Sequence, residues 1–307
     1  MTRFSLVALA GAFGCSEYGY DAAAEPPVLT EPTSEAPTEP QDAPPDAPAD
    51  EPAPEDPDLD PPTEALPPED DCEDTSDVIY VIDRAEEALY LFDPAMMTFT
   101  LLGGLNCPWG SSTPASMAVS REGIAFVRAS DNKLYEVDLV DLSCEKTDYG
   151  NGSFGDFGMG FSTDVAGGWI DTLFLANEDR VVSLDLASFQ TSTINDLPSQ
   201  SELTGDANGE LWAFLPLSTP AQLVQVDKDG GAPITTLPLP GFPDAGDIDT
   251  FAFATWGGDF WLFVREYGMG RTTDVYRVTP DGDMTLVWED SGRDVVGAGV
   301  STCAPAE

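Results

Sequence analysis

The chain contains no histidine among its 307 residues. This absence excludes the Ser-His and Cys-His pairs that activate many enzymatic nucleophiles, and it excludes imidazole ligands for a metal ion. The sequence also lacks a glycine-rich phosphate loop, a Walker motif and a dinucleotide-binding fingerprint. Any enzymatic chemistry would therefore depend on Asp and Glu side chains.

Basic residues are also scarce. The chain has 12 Lys and Arg against 56 Asp and Glu, which gives a net charge of −44. Residues 16–76 carry 20 of these acids and no base. A field of this sign repels phosphate backbones, so a nucleic-acid partner is excluded. The simplest interpretation of the acidic surface is that it keeps the protein soluble.

Long apolar runs are missing as well. The run within MTRFSLVALAGAFGC is too short to span a bilayer but suits the core of a signal peptide. It ends at Gly14 and Cys15, and this stretch resembles a bacterial lipoprotein signal, although Ala12 and Phe13 depart from the usual pattern. The resemblance implies that residues 1–14 are removed and that Cys15 is lipidated. It also implies an exported protein anchored to the bacterial membrane, with the outer membrane or cell surface favoured. The alternative is an ordinary secretory signal followed by a chance cysteine.

Residues 15–76 are predicted to form a linker that begins with the lipidated cysteine. Proline and acidic residues dominate this segment, and almost nothing in it could be buried in a core. Because such a composition cannot offset the entropy of ordering, we expect a disordered tether, extended by its prolines and by charge repulsion. Its expected role is to hold a folded head away from the membrane.

Residues 77–303 have the two-residue periodicity of β-strands, and a strand of small residues recurs at spacings of 43, 44, 47 and 47 residues. The five copies are ASMAVS, GMGFST, ELTGDA, DTFAFA and VGAGVS. Each of the first four is followed by a bulkier strand, by a third strand that ends near Asp, and by a weaker fourth strand. Small residues suit the crowded inner strands of a β-propeller, and four-stranded repeats of this length are typical of that fold.

The two ends of this repeat region are incomplete in complementary ways. The strands before Ala115 match a second, third and fourth strand without an inner strand, whereas VGAGVS has no strand after it. Pairing of the two fragments resembles the ring-closing "Velcro" of β-propellers. The sequence therefore predicts an all-β fold, a five-bladed propeller closed by its C-terminal strand, with a short tail at residues 304–307. A β-sandwich would explain the alternation but not the repeat.

Four cysteines remain besides Cys15, and an even number in an exported protein suggests two disulfides. Ring closure would bring Cys72 and Cys303 to the same inter-strand turn of the first blade, where a disulfide would lock the ring. Cys107–Cys144 follows by subtraction, as part of one of three possible sets of pairs.

Three acids are candidate catalytic residues for a carbohydrate-active hydrolase: Asp206 and Asp249 on inner strands, and Glu266 in a loop on the mouth side. Glycoside hydrolysis requires only paired carboxyl groups, and Asp249 is the best placed because it begins its strand at the mouth. Ordinary solvated acids of an acidic protein are the simpler explanation. Asp244, Asp247 and Asp249 form a weak candidate calcium site, and no other cofactor is predicted.

Loops that lead into inner strands, or that join second to third strands, carry side chains suited to a binding face. These candidates are Trp109, Tyr149, Phe154, Phe157, Phe242, Tyr267 and Arg271. The alternative is that several of the rings simply plug the channel. The sequence favours a monomeric, non-catalytic binding or scaffold module for a glycan or protein ligand, with the hydrolase as the alternative.

Overall fold

β-Strands form nearly all the regular structure in the computed structural model, which describes residues 78–150 and 154–306. Within these ranges the chain forms twenty strands and one 3-10 turn, Ala245–Asp247. The strands assemble into five antiparallel sheets of four strands each, which are the blades of a propeller. The predicted fold class and blade number are therefore confirmed.

The strands follow the chain blade by blade. The first blade contains β1 (Ile79–Asp83), β2 (Ala88–Asp93) and β3 (Thr98–Gly104). The second contains β4 (Pro114–Val119), β5 (Ile124–Ala129), β6 (Leu134–Asp138) and β7 (Cys144–Lys146). The third contains β8 (Gly158–Thr163), β9 (Asp171–Ala176), β10 (Arg180–Leu184) and β11 (Thr191–Asp196). The fourth contains β12 (Glu202–Gly205), β13 (Leu211–Leu215), β14 (Gln222–Gln225) and β15 (Thr235–Pro238). The fifth contains β16 (Ile248–Trp256), β17 (Asp259–Glu266), β18 (Asp274–Val278) and β19 (Met284–Trp288), and it is followed by β20 (Val295–Gly299).

The last strand closes the ring. β20 pairs antiparallel with β1, with Tyr80 opposite Gly299 and Ile82 opposite Gly297. The first blade therefore has the strand order β20-β1-β2-β3, and its inner strand comes from the end of the chain. Each inner strand contacts the next around the axis, in the order β20, β4, β8, β12 and β16. This arrangement confirms the predicted closure, which leaves no gap in the ring of blades.

The inner strands approach one another so closely that a side chain does not fit at several positions. A Cβ atom at Gly160 in β8 would lie 2.7 Å from the backbone oxygen of Leu203, and one at Gly297 in β20 would lie 2.9 Å from the amide nitrogen of Met117. Such contacts would displace the backbone of the neighbouring blade, because protein interiors are already close-packed. This crowding explains the small residues that recur in the inner strands.

Among the described residues the hydrophobic core is divided into five clusters, and each cluster lies between two neighbouring blades. Phe92 of the first blade packs edge-to-face against Trp261 and Phe263 of the fifth. Trp212 of the fourth blade packs against Phe260 of the fifth, with 4.7 Å between ring centroids. Each blade therefore shares its core with both neighbours.

Aspartates at the ends of third strands shape the turns that follow them. The Oδ1 atoms of Asp93, Asp138 and Asp185 each accept hydrogen bonds from the backbone amides two and three residues later. Asp side chains that bond to the backbone in this way stabilise a turn. The repeated Asp of the sequence pattern thus has a structural role in three blades.

One of the two predicted disulfides is confirmed. Cys107, in the loop after β3, is bonded to Cys144 at the start of β7, with the two Cα atoms 5.0 Å apart. This bond ties the loop that leaves the first blade to the outer strand of the second. Cys303 is also disulfide-bonded. Its predicted partner, Cys72, lies outside the described residues, so the Cys72–Cys303 pair stays a prediction.

The predicted signal, the lipidated Cys15 and the tether at residues 15–76 also lie outside the described residues. Within the described ranges, no helix has the length and apolar character needed to cross a membrane.

Candidate functional site: the channel mouth

The strand order places the loops at two ends of the propeller. Loops that lead into inner strands and loops that join second to third strands share one end, which we call the upper end. The remaining loops lie at the lower end. As the second strand of its blade, β1 begins at the lower end, so the described chain starts there, at Val78.

A cavity of about 180 Å³ opens at the upper end, and we call it the mouth cavity. Its charged lining residues are Arg84, Arg128, Glu202 and Asp249. Its neutral polar lining residues are Thr113, Ser130, Gln200 and Thr250. The opening thus concentrates charged and polar groups contributed by different blades around one concave surface.

Two arginines and two aspartates form a cluster at this mouth. Arg265 in β17 pairs with Asp249 in β16, and its Nη1 atom lies 2.8 Å from Oδ1 of Asp294. The Nε atom of Arg84 lies 3.1 Å from Oδ2 of Asp294, and its Nη2 atom lies 3.9 Å from Oδ2 of Asp249. The two positive and two negative charges compensate one another. Asp249 is therefore engaged by two guanidinium groups.

Arg128 in β5 is buried, with only 7% of its side chain exposed. Its Nη1 atom donates to Oδ1 of Asn132 at 3.1 Å and lies 3.5 Å from Oδ1 of Asp156, whose side chain is 65% exposed. The guanidinium carbon lies 5.4 Å from the centroid of the Phe157 ring. Nε has no hydrogen-bond partner in the part of the chain that the structure describes. Burial also lowers the pKa of Arg128, because it penalises the charged form.

Glu202 begins β12 and is fully buried beside the cavity. Its Oε2 atom accepts a hydrogen bond of 2.7 Å from the Ser116 hydroxyl. Burial raises the pKa of Glu202 from 4.5 to about 8, against the weaker lowering effects of the Ser116 hydrogen bond and the Arg128 charge. Glu202 is therefore mainly protonated at neutral pH, and in that form it does not neutralise Arg128.

The three predicted catalytic acids do not come together. Asp249 lines the mouth cavity. Asp206 lies in the turn after β12 at the lower end, where burial raises its pKa. Glu266 ends β17 at the upper end, and its Oε2 atom lies 3.7 Å from Nη2 of Arg271. Only Asp249 among the three lines the mouth cavity, because the strand direction carries Asp206 to the opposite end.

Five of the predicted binding residues are buried in the interblade cores. Tyr149, Phe154 and Phe157 pack together between the second and third blades. Trp109 lies between the first and second blades, and Phe242 lies between the fourth and fifth. The expected exposed aromatic face is not formed by these rings, because the upper loops fold back over the gaps between blades and use the rings to cover the cores.

Tyr267 and Arg271 lie in the upper loop after β17. Tyr267 is 66% exposed. The Nη2 atom of Arg271 lies 2.8 Å from Oδ2 of Asp274, and its Nη1 atom lies 3.3 Å from Oδ2 of Asp290. Arg271 is thus already engaged by neighbouring carboxylates, and Tyr267 is the predicted aromatic candidate whose ring remains exposed.

The predicted calcium ligands are arranged differently from a metal site. Asp249 contacts Arg265, and Asp244 precedes the 3-10 turn that ends at Asp247. Across residues 78–150 and 154–306, no three acidic or cysteine side chains are grouped in a way that could hold a metal ion. The weak candidate cluster is therefore not formed within these residues.

Sequence reasoning missed Glu202 and Arg128, although both lie in strands that the repeat identified. The segment ELTGDA begins with Glu202, and Arg128 is the second-to-last residue of the segment GIAFVRA. The sequence did contain an indication of this site, namely a charged residue within an inner strand and another within a second strand. Glu and Arg are rarely buried without a specific partner.

Comparison with known proteins adds little beyond the fold. No family model and no curated protein matches the chain. A chain from the crystal structure of a nidogen–laminin complex aligns at 10% identity over 73% of this chain and 97% of that chain, with a TM-score of 0.48. A protein of unknown function from Bacteroides caccae aligns at 10% identity over 72% and 97%, with a TM-score of 0.40. A chain from a mitotic checkpoint complex aligns at 13% identity over 73% and 66%, with a TM-score of 0.36. These values are too low to transfer a function to this chain.

Proposed function

We propose that the propeller is a non-catalytic binding module for a glycan or protein ligand and that the mouth cavity is its ligand site. The observation that carries this proposal is the convergence of charged and polar side chains on one concave opening. Concave sites with a few convergent polar groups are the usual ligand sites of proteins. With a volume of about 180 Å³, the cavity is suited to one sugar residue or one side chain of a larger ligand.

The proposed module is exported, lipidated at Cys15 and held at the outer membrane or cell surface by the tether. The described chain begins at the lower end, where β1 starts, whereas the mouth cavity opens at the upper end. Val78, where the described head begins, therefore lies at the opposite end from the proposed ligand site.

Binding at the mouth can be tested with the purified full-length protein on a glycan array and in protein pull-downs. We expect saturable binding whose affinity changes in Asp249→Asn, because this change leaves Arg84 and Arg265 at the mouth with one acidic partner fewer. Asp206→Asn is the matched control, since Asp206 lies in the turn directly after an inner strand, at the lower end. Equal effects of the two substitutions would contradict a ligand site at the mouth.

A carbohydrate-active hydrolase is the second candidate, and one observation favours it. Glu202 and Asp249 line the same cavity, but Glu202 has a pKa of about 8 while Asp249 is surrounded by arginines. Two carboxyl groups in such different surroundings can divide the general-acid and general-base roles of glycoside hydrolysis. A hydrolysis screen separates the candidates. Turnover lost in both Glu202→Gln and Asp249→Asn would support the hydrolase, and saturable binding without turnover would support the module.

The proposed anchor is tested by metabolic labelling with palmitate followed by membrane fractionation. We expect the wild-type chain to carry label and to sediment with the outer membrane. Cys15→Ser should lose both properties, because it removes the acceptor thiol. Label retained by the variant would exclude Cys15 as the attachment site.

A further inference from the structure

The mouth cavity contains one positive charge that its neighbours compensate incompletely. Arg128 has a single acidic neighbour within salt-bridge distance in the described residues, Asp156, and that carboxylate is largely exposed to water. The Nε atom of Arg128 has no hydrogen-bond partner there either, although the side chain is more than nine-tenths buried. A buried guanidinium is costly unless ion pairs and hydrogen bonds satisfy it.

The other charged groups of the cavity do not supply a second ionised carboxylate for Arg128. Arg84 and Arg265 are matched by Asp249 and Asp294 in the cluster described above. Glu202 is mainly protonated at neutral pH. Arg128 is therefore the arginine at the mouth whose acidic partner, Asp156, is largely exposed to water, so its charge is the least compensated of the three.

The remaining polar groups of the wall are neutral. Hydroxyl and amide side chains come from Thr113, Ser130, Gln200 and Thr250. Such groups donate and accept hydrogen bonds, as the hydroxyl groups of a sugar do. An acidic side chain of a protein ligand offers its carboxylate on an aliphatic stem, whereas an acidic sugar offers hydroxyl groups beside its carboxylate and so suits this polar wall better.

We propose that the mouth cavity binds a carboxylate-bearing sugar residue, a uronate, with Arg128 pairing to the carboxylate and the neutral polar side chains binding the ring hydroxyls. This inference rests on the proposed function, since it names the ligand class of the same site. A planar guanidinium matches the two oxygens of a carboxylate, and one carboxylate of a ligand would complete the partial compensation that the exposed Asp156 gives Arg128.

Isothermal titration calorimetry of the purified full-length protein tests this assignment. The probes are galacturonate and glucuronate, with galactose and glucose as neutral counterparts of the same shape and an acidic tripeptide as the alternative source of a carboxylate. About 0.15 M salt screens long-range repulsion from the acidic surface. We expect a uronate to bind about 10-fold or more tightly than its neutral counterpart, because hydrogen bonds to charged groups are the stronger ones.

Arg128→Met should weaken uronate binding by about 10- to 100-fold. Arg121→Met is the matched control: Arg121 is another partly buried arginine, but it pairs with Asp171 at the lower end, 3.1 Å away. Arg128→Lys and Gln200→Ala provide the same test should Arg128→Met fail to fold. Lysine keeps the positive charge but lacks the planar N–H donors that bind both oxygens of a carboxylate. Gln200 lies in the loop before β12 and lines the cavity.

The possible results are distinguishable. Uronate binding that is lost with Arg128 and retained in Arg121→Met supports the proposal. Equal affinity for uronates and neutral sugars, or equal effects of the two arginine substitutions, overturns it. Binding of the acidic tripeptide alone, sensitive to Arg128, overturns the sugar assignment but leaves a ligand site at the mouth. Absence of binding by every probe also overturns the uronate assignment, whereas the proposed function is judged separately by the array and pull-downs.

Discussion

Replacement of Glu202 by glutamine should change how the stability of the propeller depends on pH. In the folded chain the buried Glu202 carboxyl has a pKa of about 8, compared with 4.5 for an unperturbed glutamate. Glutamine is nearly isosteric, can still accept the Ser116 hydrogen bond, and does not ionise. Glu202→Gln therefore removes the titration and keeps the shape.

The sign follows from the number of bound protons in each state. Between pH 4.5 and pH 8 the folded state retains a proton on Glu202 that the unfolded state has released, so the free energy of unfolding falls as the pH rises. This contribution is fully present below pH 4.5 and is lost as the pH rises through about 8. The complete shift corresponds to about 5 kcal/mol, of which about 4 kcal/mol is lost between pH 5 and pH 9.

Urea denaturation of both proteins, followed by circular dichroism at several pH values from 5 to 9, measures this effect. Other acids contribute equally to both chains, so the difference in unfolding free energy isolates Glu202. We expect glutamine to gain about 4 kcal/mol relative to glutamate across this range. Glu178→Gln, which removes an exposed acid at the same end, controls for the loss of one charge.

Parallel pH profiles for wild type and Glu202→Gln would refute this reasoning. They would mean that the Glu202 carboxyl titrates alike in the folded and unfolded chains. Its burial against Ser116 and Arg128 would then not describe the protein in solution.

Three further predictions concern the inner-strand packing, the disulfide and one Asp-stabilised turn. Gly160→Ala should cost about 1–3 kcal/mol in urea denaturation because it overpacks the inner strands, while Gly104→Ala, with nothing within 4 Å of the added carbon, should be nearly neutral. Removing the disulfide with Cys107→Ser and Cys144→Ser should cost about 4 kcal/mol for a separation of 37 residues, and an unchanged denaturation midpoint would contradict its stabilising role. Asp185→Ala should cost about 1 kcal/mol, because it removes hydrogen bonds to two backbone amides, and hydrogen exchange of those amides should become faster.

The ring of blades could be predicted from the sequence because its main constraint is local. An inner strand must be small wherever it crosses its neighbours, and residues such as Gly160 and Gly297 show this requirement directly in the sequence. The missing inner strand before β1 and the unpaired strand at the chain end then required each other. Strand order and side-chain size suffice for this prediction, and both can be read from the amino-acid sequence.

The site was harder to predict because its residues meet only after the blades are packed. Ser116 and Glu202 are 86 residues apart and belong to the second and fourth blades, so their hydrogen bond depends on how inner strands cross the axis. For a related reason, the position of an aromatic residue in a loop did not indicate whether its ring is exposed. Phe157 begins the approach to an inner strand, as expected, but its ring covers an interblade core.

The first strand of the head has a partner on each side, β2 on one and β20 on the other. A pull applied to the chain ahead of Val78, directed out of the lower end, would act along the axis of β1. Such traction would have to shear two ladders of hydrogen bonds at once, whereas a strand peeled from a free edge loses its bonds one after another. The closing strand therefore also reinforces the head mechanically where the preceding chain joins it.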